Sequence, residues 1–104
     1  MIFEMRIYTI LPGKRDEYIS LFKEFGLGIL CKYAKLIGYW YTETGNVNQI
    51  VHIWSYESFE DRSKKRILLY QDLDWKNNFL PQAFPLLERQ ESKILLAVNF
   101  SPIQ

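Results

Sequence analysis

An α+β fold, with an antiparallel sheet and its helices layered against it, follows from three features of the sequence. Residues 2–10 alternate in character like a strand, two separate stretches carry helical spacing, and a turn-bounded pair of β-rich stretches lies between them. The chain has 104 residues, the size of one domain, here taken as residues 1–104. With 48% hydrophobic and 24% charged residues it is neither a disordered chain nor a coiled coil. Thirteen Lys and Arg against twelve Asp and Glu leave a net charge of +1, which gives no electrostatic footprint for nucleic acid or an anionic membrane. One cysteine, Cys31, cannot close an intrachain disulfide, and with one histidine, His52, it falls short of a zinc ligand set, so no metal is expected; no phosphate-cradling glycine pattern occurs either, and no cofactor is expected.

The first strand follows from Phe3, Met5 and Ile7 pointing one way while Glu4, Arg6 and Tyr8 point the other. Pro12-Gly13 ends it. From Lys14, the residues Tyr18, Leu21, Phe22, Phe25 and Ile29 form one helical stripe, predicting a helix to about Tyr33 with a kink or break near Gly26 and Gly28. Leu36–Thr44 and Gln49–Ser55 form a hairpin around Gly45-Asn46-Val47-Asn48. Ser58 caps a second, polar helix that is expected to carry Phe59, Ile67 and Tyr70 inward. A short helix begins near Asp74 and is bent or ended by Pro81 and Pro85, and Lys93–Val98 is the last strand. The order β, α, β, β, α, β fits a ferredoxin-like βαββαβ sheet whose first and third strands are central. No basic leader precedes an apolar stretch at the N-terminus, and no apolar run nears the roughly 20 residues of a membrane helix, so a cytoplasmic location away from membranes is the expectation.

An even-length hairpin loop would set Tyr41 opposite His52, Tyr39 opposite Trp54 and Trp40 opposite Ile53. One sheet face then collects Phe3, Met5, Ile7, Trp40, Val51 and Ile53, suited to lie under the helices. The other collects Glu4, Arg6, Tyr8, Tyr39, Tyr41, His52 and Trp54. That second face is too aromatic for a solvent surface and too polar for a plain core, and is expected to close against a second copy of the chain around a partly polar interior. Seventeen aromatic residues, seven Tyr, seven Phe and three Trp, add to the case for a pocket or interface.

Glu4-x-Arg6-x-Tyr8-Thr9, Leu11-Pro12-Gly13-Lys14, Gly38-Tyr39, Thr42-Glu43-x-Gly45, Asn48-Gln49-x-Val51-His52-x-Trp54-x-Tyr56, Asp74-Trp75, Pro85-Leu86-Leu87, Gln90-Glu91-Ser92-x-Ile94-Leu95 and Phe100-Ser101-Pro102 occur in an order that resembles a NIPSNAP domain over nearly the whole chain. The resemblance implies a dimeric α/β barrel and a homodimer or higher homo-oligomer, and no settled enzymatic activity.

Two chemistries suit the polar residues. Tyr8, Tyr39, Tyr41 and Trp54 are candidates for binding a small organic ligand, with His52, Arg6 and Glu4 as the candidate reacting set. In an enzymatic reading of cofactor-independent monooxygenase or isomerase type, His52 is the general base, Arg6 holds an anionic oxygen, and Tyr8 or Tyr41 orients substrate. The alternative is a His-Glu-Arg-Tyr network that satisfies itself in a structural or interaction module. Cys31 reads as a small buried thiol, and Arg62 with Lys64-Lys65-Arg66 as a solvated helix face.

Overall fold

The computed structural model describes residues 1–104. Four strands, β1 (Ile2–Ile10), β2 (Lys35–Tyr41), β3 (Gln49–Tyr56) and β4 (Leu87–Leu95), form one antiparallel sheet in the order β2-β3-β1-β4. β1 and β3 are central, as a ferredoxin-like topology requires. β4 begins six residues earlier than the sequence pattern predicts and ends at Leu95. It is an edge strand, where the polar run Glu88–Lys93 is tolerated and hides the strand signal.

The helical layer begins with α1 (Arg15–Leu21), which passes through a π-helical turn at Phe22–Gly26 into α2 (Leu27–Leu30). No break occurs at the glycines. The π turn accounts for the buried set Tyr18, Phe22, Gly26 and Leu30. A plain α-helix drifts roughly 40° for each step of four residues, and the wider turn takes up that drift. The same shift leaves Phe25, placed inward by the 3.6-residue pattern, exposed. Gly26 is required by space: a Cβ there would meet Phe22 at 2.7 Å and Phe79 at 2.8 Å. α3 (Phe59–Gln71) is capped by Ser58, whose Oγ accepts from the Asp61 N–H at 3.0 Å. A second π turn, Trp75–Phe79, leads into α4 (Leu80–Ala83), and a 3₁₀ turn containing Pro85 delivers the chain to β4.

Two expectations for the helices fail. Phe59, Ile67 and Tyr70 are exposed, and the inward face of α3 carries Arg62, Arg66 and Leu69 instead, because these meet a carboxylate on the sheet. Cys31 lies at the exposed end of α2 and is not a buried thiol.

The larger correction concerns the sheet. Ile2, Tyr8, Ile10, Ile50, Trp54 and Tyr56 pack with Tyr18, Phe22, Leu69 and Phe79 of the helices in one core, so the helices cover the face that carries Glu4 and His52. The face expected under the helices, with Met5, Ile7, Val51, Ile53 and Trp40, has no helix over it. Trp40 is 53% exposed and its indole lies across Gly38, where a Cβ would stand 2.1 Å from the ring. Beside it, Phe3, Ile37 and Ile53 line an apolar groove with the C-terminal residues Leu96, Val98 and Ile103.

Candidate functional site

Three cross-strand rows build the helix-covered face. Tyr39, His52, Arg6 and Ser92 form one row, Leu36, Trp54, Glu4 and Ile94 the next, and Tyr41, Ile50, Tyr8 and Gln90 the third. Hairpin parity is as expected, but β2 is shifted by two residues, so Tyr39 rather than Tyr41 stands opposite His52 and Trp40 opposite Val51. The connection is longer than a tight turn, with the Thr42 N–H closing it on the Gln49 carbonyl at 3.1 Å. Tyr41 is half exposed at the end of the sheet, under the Arg15 guanidinium at 4.2 Å, and outside the cluster.

Glu4 is fully buried, yet both carboxylate oxygens are engaged. Arg62 donates to Oε1 at 3.1 Å and to Oε2 at 2.8 Å, Arg6 to Oε2 at 2.8 Å, and the Ser92 hydroxyl to Oε2 at 2.6 Å. Arg66 stands 3.9 Å from Oε1. Burial by itself would raise the Glu4 pKa; the hydrogen bonds from Arg62 and Ser92 and the charges of Arg6 and Arg62 outweigh it and hold the carboxyl at about 2. Arg6 Nε in turn donates to the Tyr8 hydroxyl at 2.8 Å.

An aromatic stack continues from Tyr8. The His52 ring meets Tyr8 edge-on at 4.6 Å and stacks on Tyr39 at 4.7 Å, and Tyr39 stacks on Phe22 at 4.8 Å. The Trp54 indole N–H donates to His52 Nδ1 at 2.7 Å. An indole nitrogen only donates, so Nδ1 is the accepting nitrogen and this hydrogen-bond pattern assigns the imidazole proton to Nε2. Burial and then the charge of Arg6 push the imidazole down to about 3, against an opposing pull from Glu4. His52 is therefore neutral at physiological pH with its lone pair taken, an arrangement that donates a hydrogen bond and does not accept a proton. His52 Nε2 and the Tyr39 hydroxyl are buried without partners.

A cavity of about 130 Å³ opens between sheet and helices beside this cluster, walled by Glu4, Arg6, Tyr8, Trp54, Arg66 and Trp75, with the half-exposed Tyr70 and Phe84 also on its lining. A smaller chamber of about 30 Å³, walled by His52, Tyr18 and Phe79, adjoins it through Tyr8, Leu30 and Trp75. Of the residues singled out in the sequence, Glu4, Arg6, Tyr8, Tyr39, His52 and Trp54 come together and Tyr41 does not. Arg62 and Arg66, expected on a solvated helix face, instead turn inward because the buried Glu4 carboxylate draws them, and Ser92 carries no site signal in the sequence. The four-residue spacing of Arg62 and Arg66, followed by Leu69 three residues on, was the signal available for a helix face that is inward and cationic at once.

Fold and site define a two-layer ferredoxin-like α+β protein with a charged and aromatic core between its layers. The chain belongs to the NIPSNAP family, whose profile matches residues 3–102. Among solved structures, a NIPSNAP family protein from Agrobacterium tumefaciens is 40% identical with a TM-score of 0.95, covering 99% of this chain and 98% of that one. An uncharacterised NIPSNAP domain protein from Burkholderia xenovorans is 38% identical with a TM-score of 0.94, covering 98% and 99%. NipSnap homolog 3A of Pongo abelii is 31% identical over 100% of this chain, which spans 42% of that relative's length. An antibiotic biosynthesis monooxygenase superposes with a TM-score of 0.66 at 12% identity, covering 94% of this chain and 99% of that one, a likeness of fold alone. No helix is long and apolar enough to cross a membrane.

Proposed function

We propose that this chain acts as a homodimer in which each subunit binds a small organic anion between its sheet and its helices, as a binding or regulatory domain. The observation that carries this reading is an imbalance of charge: three guanidinium groups surround one carboxylate, a surplus of two positive charges, and Arg6 and Arg66 also wall the aromatic cavity. Guanidinium groups in a partly desolvated, aromatic setting favour a carboxylate or enolate on a flat ligand. The volume, about 130 Å³, is close to the roughly 150 Å³ that accommodates one benzene ring in an engineered cavity. Proton transfer by His52 is no part of this reading, since its free lone pair is engaged by Trp54.

The dimer reading is supported by the shape of the chain. Its extents are 40 × 36 × 19 Å, a slab two layers thick, and its radius of gyration of 14.1 Å exceeds the roughly 13 Å of a compact chain this long. The bare apolar sheet face is the surface suited to a second copy.

Calorimetric titration with benzoate tests the ligand reading: wild type is expected to bind, and Arg66→Gln to bind about tenfold more weakly. Equal affinity in the variant, or no heat with wild type at millimolar concentrations of benzoate or of its hydroxyl- and formyl-bearing analogues, would reject it. Light scattering tests the dimer, which a mass of 12.5 kDa would rule out.

A further inference from the structure

The only histidine of the chain takes no part in the anion site. His52 is 1% exposed, accepts from Trp54 through Nδ1, and carries a proton on an Nε2 that has no partner. A buried donor without an acceptor is costly, and folded proteins rarely keep one unless something else completes it. The imidazole forms part of the wall of the chamber of about 30 Å³, which has room for one oxygen and little more. That chamber shares Tyr8, Leu30 and Trp75 with the larger cavity where Arg6 and Arg66 stand. The two spaces therefore lie side by side, the larger lined by two guanidinium groups and the smaller by the ring that carries the unpartnered Nε2–H.

We infer that the site takes a one-ring acid bearing a second oxygen, its anionic group against Arg6 and Arg66 and its hydroxyl or carbonyl oxygen accepting from the Nε2–H of His52. The inference rests on the ligand reading above and narrows it to a substrate class. A site built to donate to a ligand oxygen discriminates against the analogue lacking it, because that analogue leaves the buried donor unpaired. Tyr39, stacked on the imidazole with its own hydroxyl unpartnered, is a second polar group within the same stack.

The test compares benzoate with 3-hydroxybenzoate, 4-hydroxybenzoate and 4-formylbenzoate by calorimetry, and follows the imidazole by NMR in protein carrying ¹⁵N-histidine, where a single ring gives an unambiguous signal. At least one substituted acid is expected to bind about tenfold more tightly than benzoate and to shift the Nε2 resonance, while His52→Phe binds all four alike. Binding of benzoate with no preference for any substituted acid and no Nε2 shift, as a resident water on His52 would produce, overturns this inference and leaves the anion site standing. A preference that survives in His52→Phe also overturns it. Should that variant fail to fold, the Nε2 shift in wild-type protein decides alone. Failure of all four acids to bind overturns the anion site and this inference together.

Discussion

At the scale of single residues, Glu4 and His52 set how the protein responds to acid. The Glu4 carboxyl is held at about 2, below its ordinary 4.5, so its contribution is complete above about 4.5 and is lost as pH falls toward 2; the shift corresponds to about 3 kcal/mol. His52 is held at about 3, below its ordinary 6.5. The unfolded chain therefore takes up a proton below 6.5 that the folded chain refuses, and stability falls with acid over that window too. Urea midpoints measured across pH are expected to be level near neutrality, to decline from about 6.5, and to steepen below about 4.5. His52→Phe should flatten the upper part of the decline and Glu4→Gln the lower. Glu4→Gln should also cost on the order of 3 kcal/mol at neutral pH, because three guanidinium groups lose the charge they converge on. A pH profile unchanged by either substitution would contradict this account. The partners of Glu4 explain why the sequence misleads about which way it faces: the Arg62 side chain comes from 58 residues downstream, so locally a carboxylate beside apolar residues looks unsatisfied.

At the scale of elements, the two π turns meet where Phe22, Gly26 and Phe79 crowd together, and two glycines in the same helical run have opposite requirements. Gly26 has no room for a methyl group, whereas nothing lies within 4 Å of a Cβ at Gly28. Gly26→Ala is expected to destabilise by about 1–3 kcal/mol through overpacking, and Gly28→Ala to stabilise by about 0.5–1 kcal/mol through helix propensity, both read from thermal or urea unfolding. Equal effects of the two would mean that the contact between π turns carries no constraint. The strand and helix order, the two central strands and the Ser58 cap were all legible in the sequence, because period and capping chemistry are local. The π turns, the early start of β4 and the inward arginines of α3 were not. Each depends on what a residue meets across the layer, which periodicity does not encode.

At the scale of the whole molecule, the decisive question is which sheet face the helices take. Strand alternation sorts the two sets correctly, keeping Glu4, Arg6, Tyr8, His52 and Trp54 together, but both sets contain enough apolar residues to serve as a core. The fold resolves this by supplying counter-ions from α3, which makes the polar set the inner one and leaves the more uniformly apolar set bare. Under the proposed homodimer, Ile53→Arg on that bare face should halve the mass in solution with little change in far-UV circular dichroism, and should leave benzoate binding within the same subunit intact. An unchanged mass would place any association elsewhere on the molecule.

Strand β1, like its central neighbour β3, serves both sides of the sheet along its middle. Glu4, Arg6 and Tyr8 reach toward the helices, and Phe3, Met5 and Ile7 lie on the reverse, one beneath the C-terminal residues and two in the bare field. An ordinary half-wet strand keeps every second position free for neutral drift. Under the proposed dimer both surfaces of this one would be occupied, tolerance to substitution along 3–8 would narrow sharply, and a bound ligand would lie a single peptide ribbon away from the neighbouring subunit.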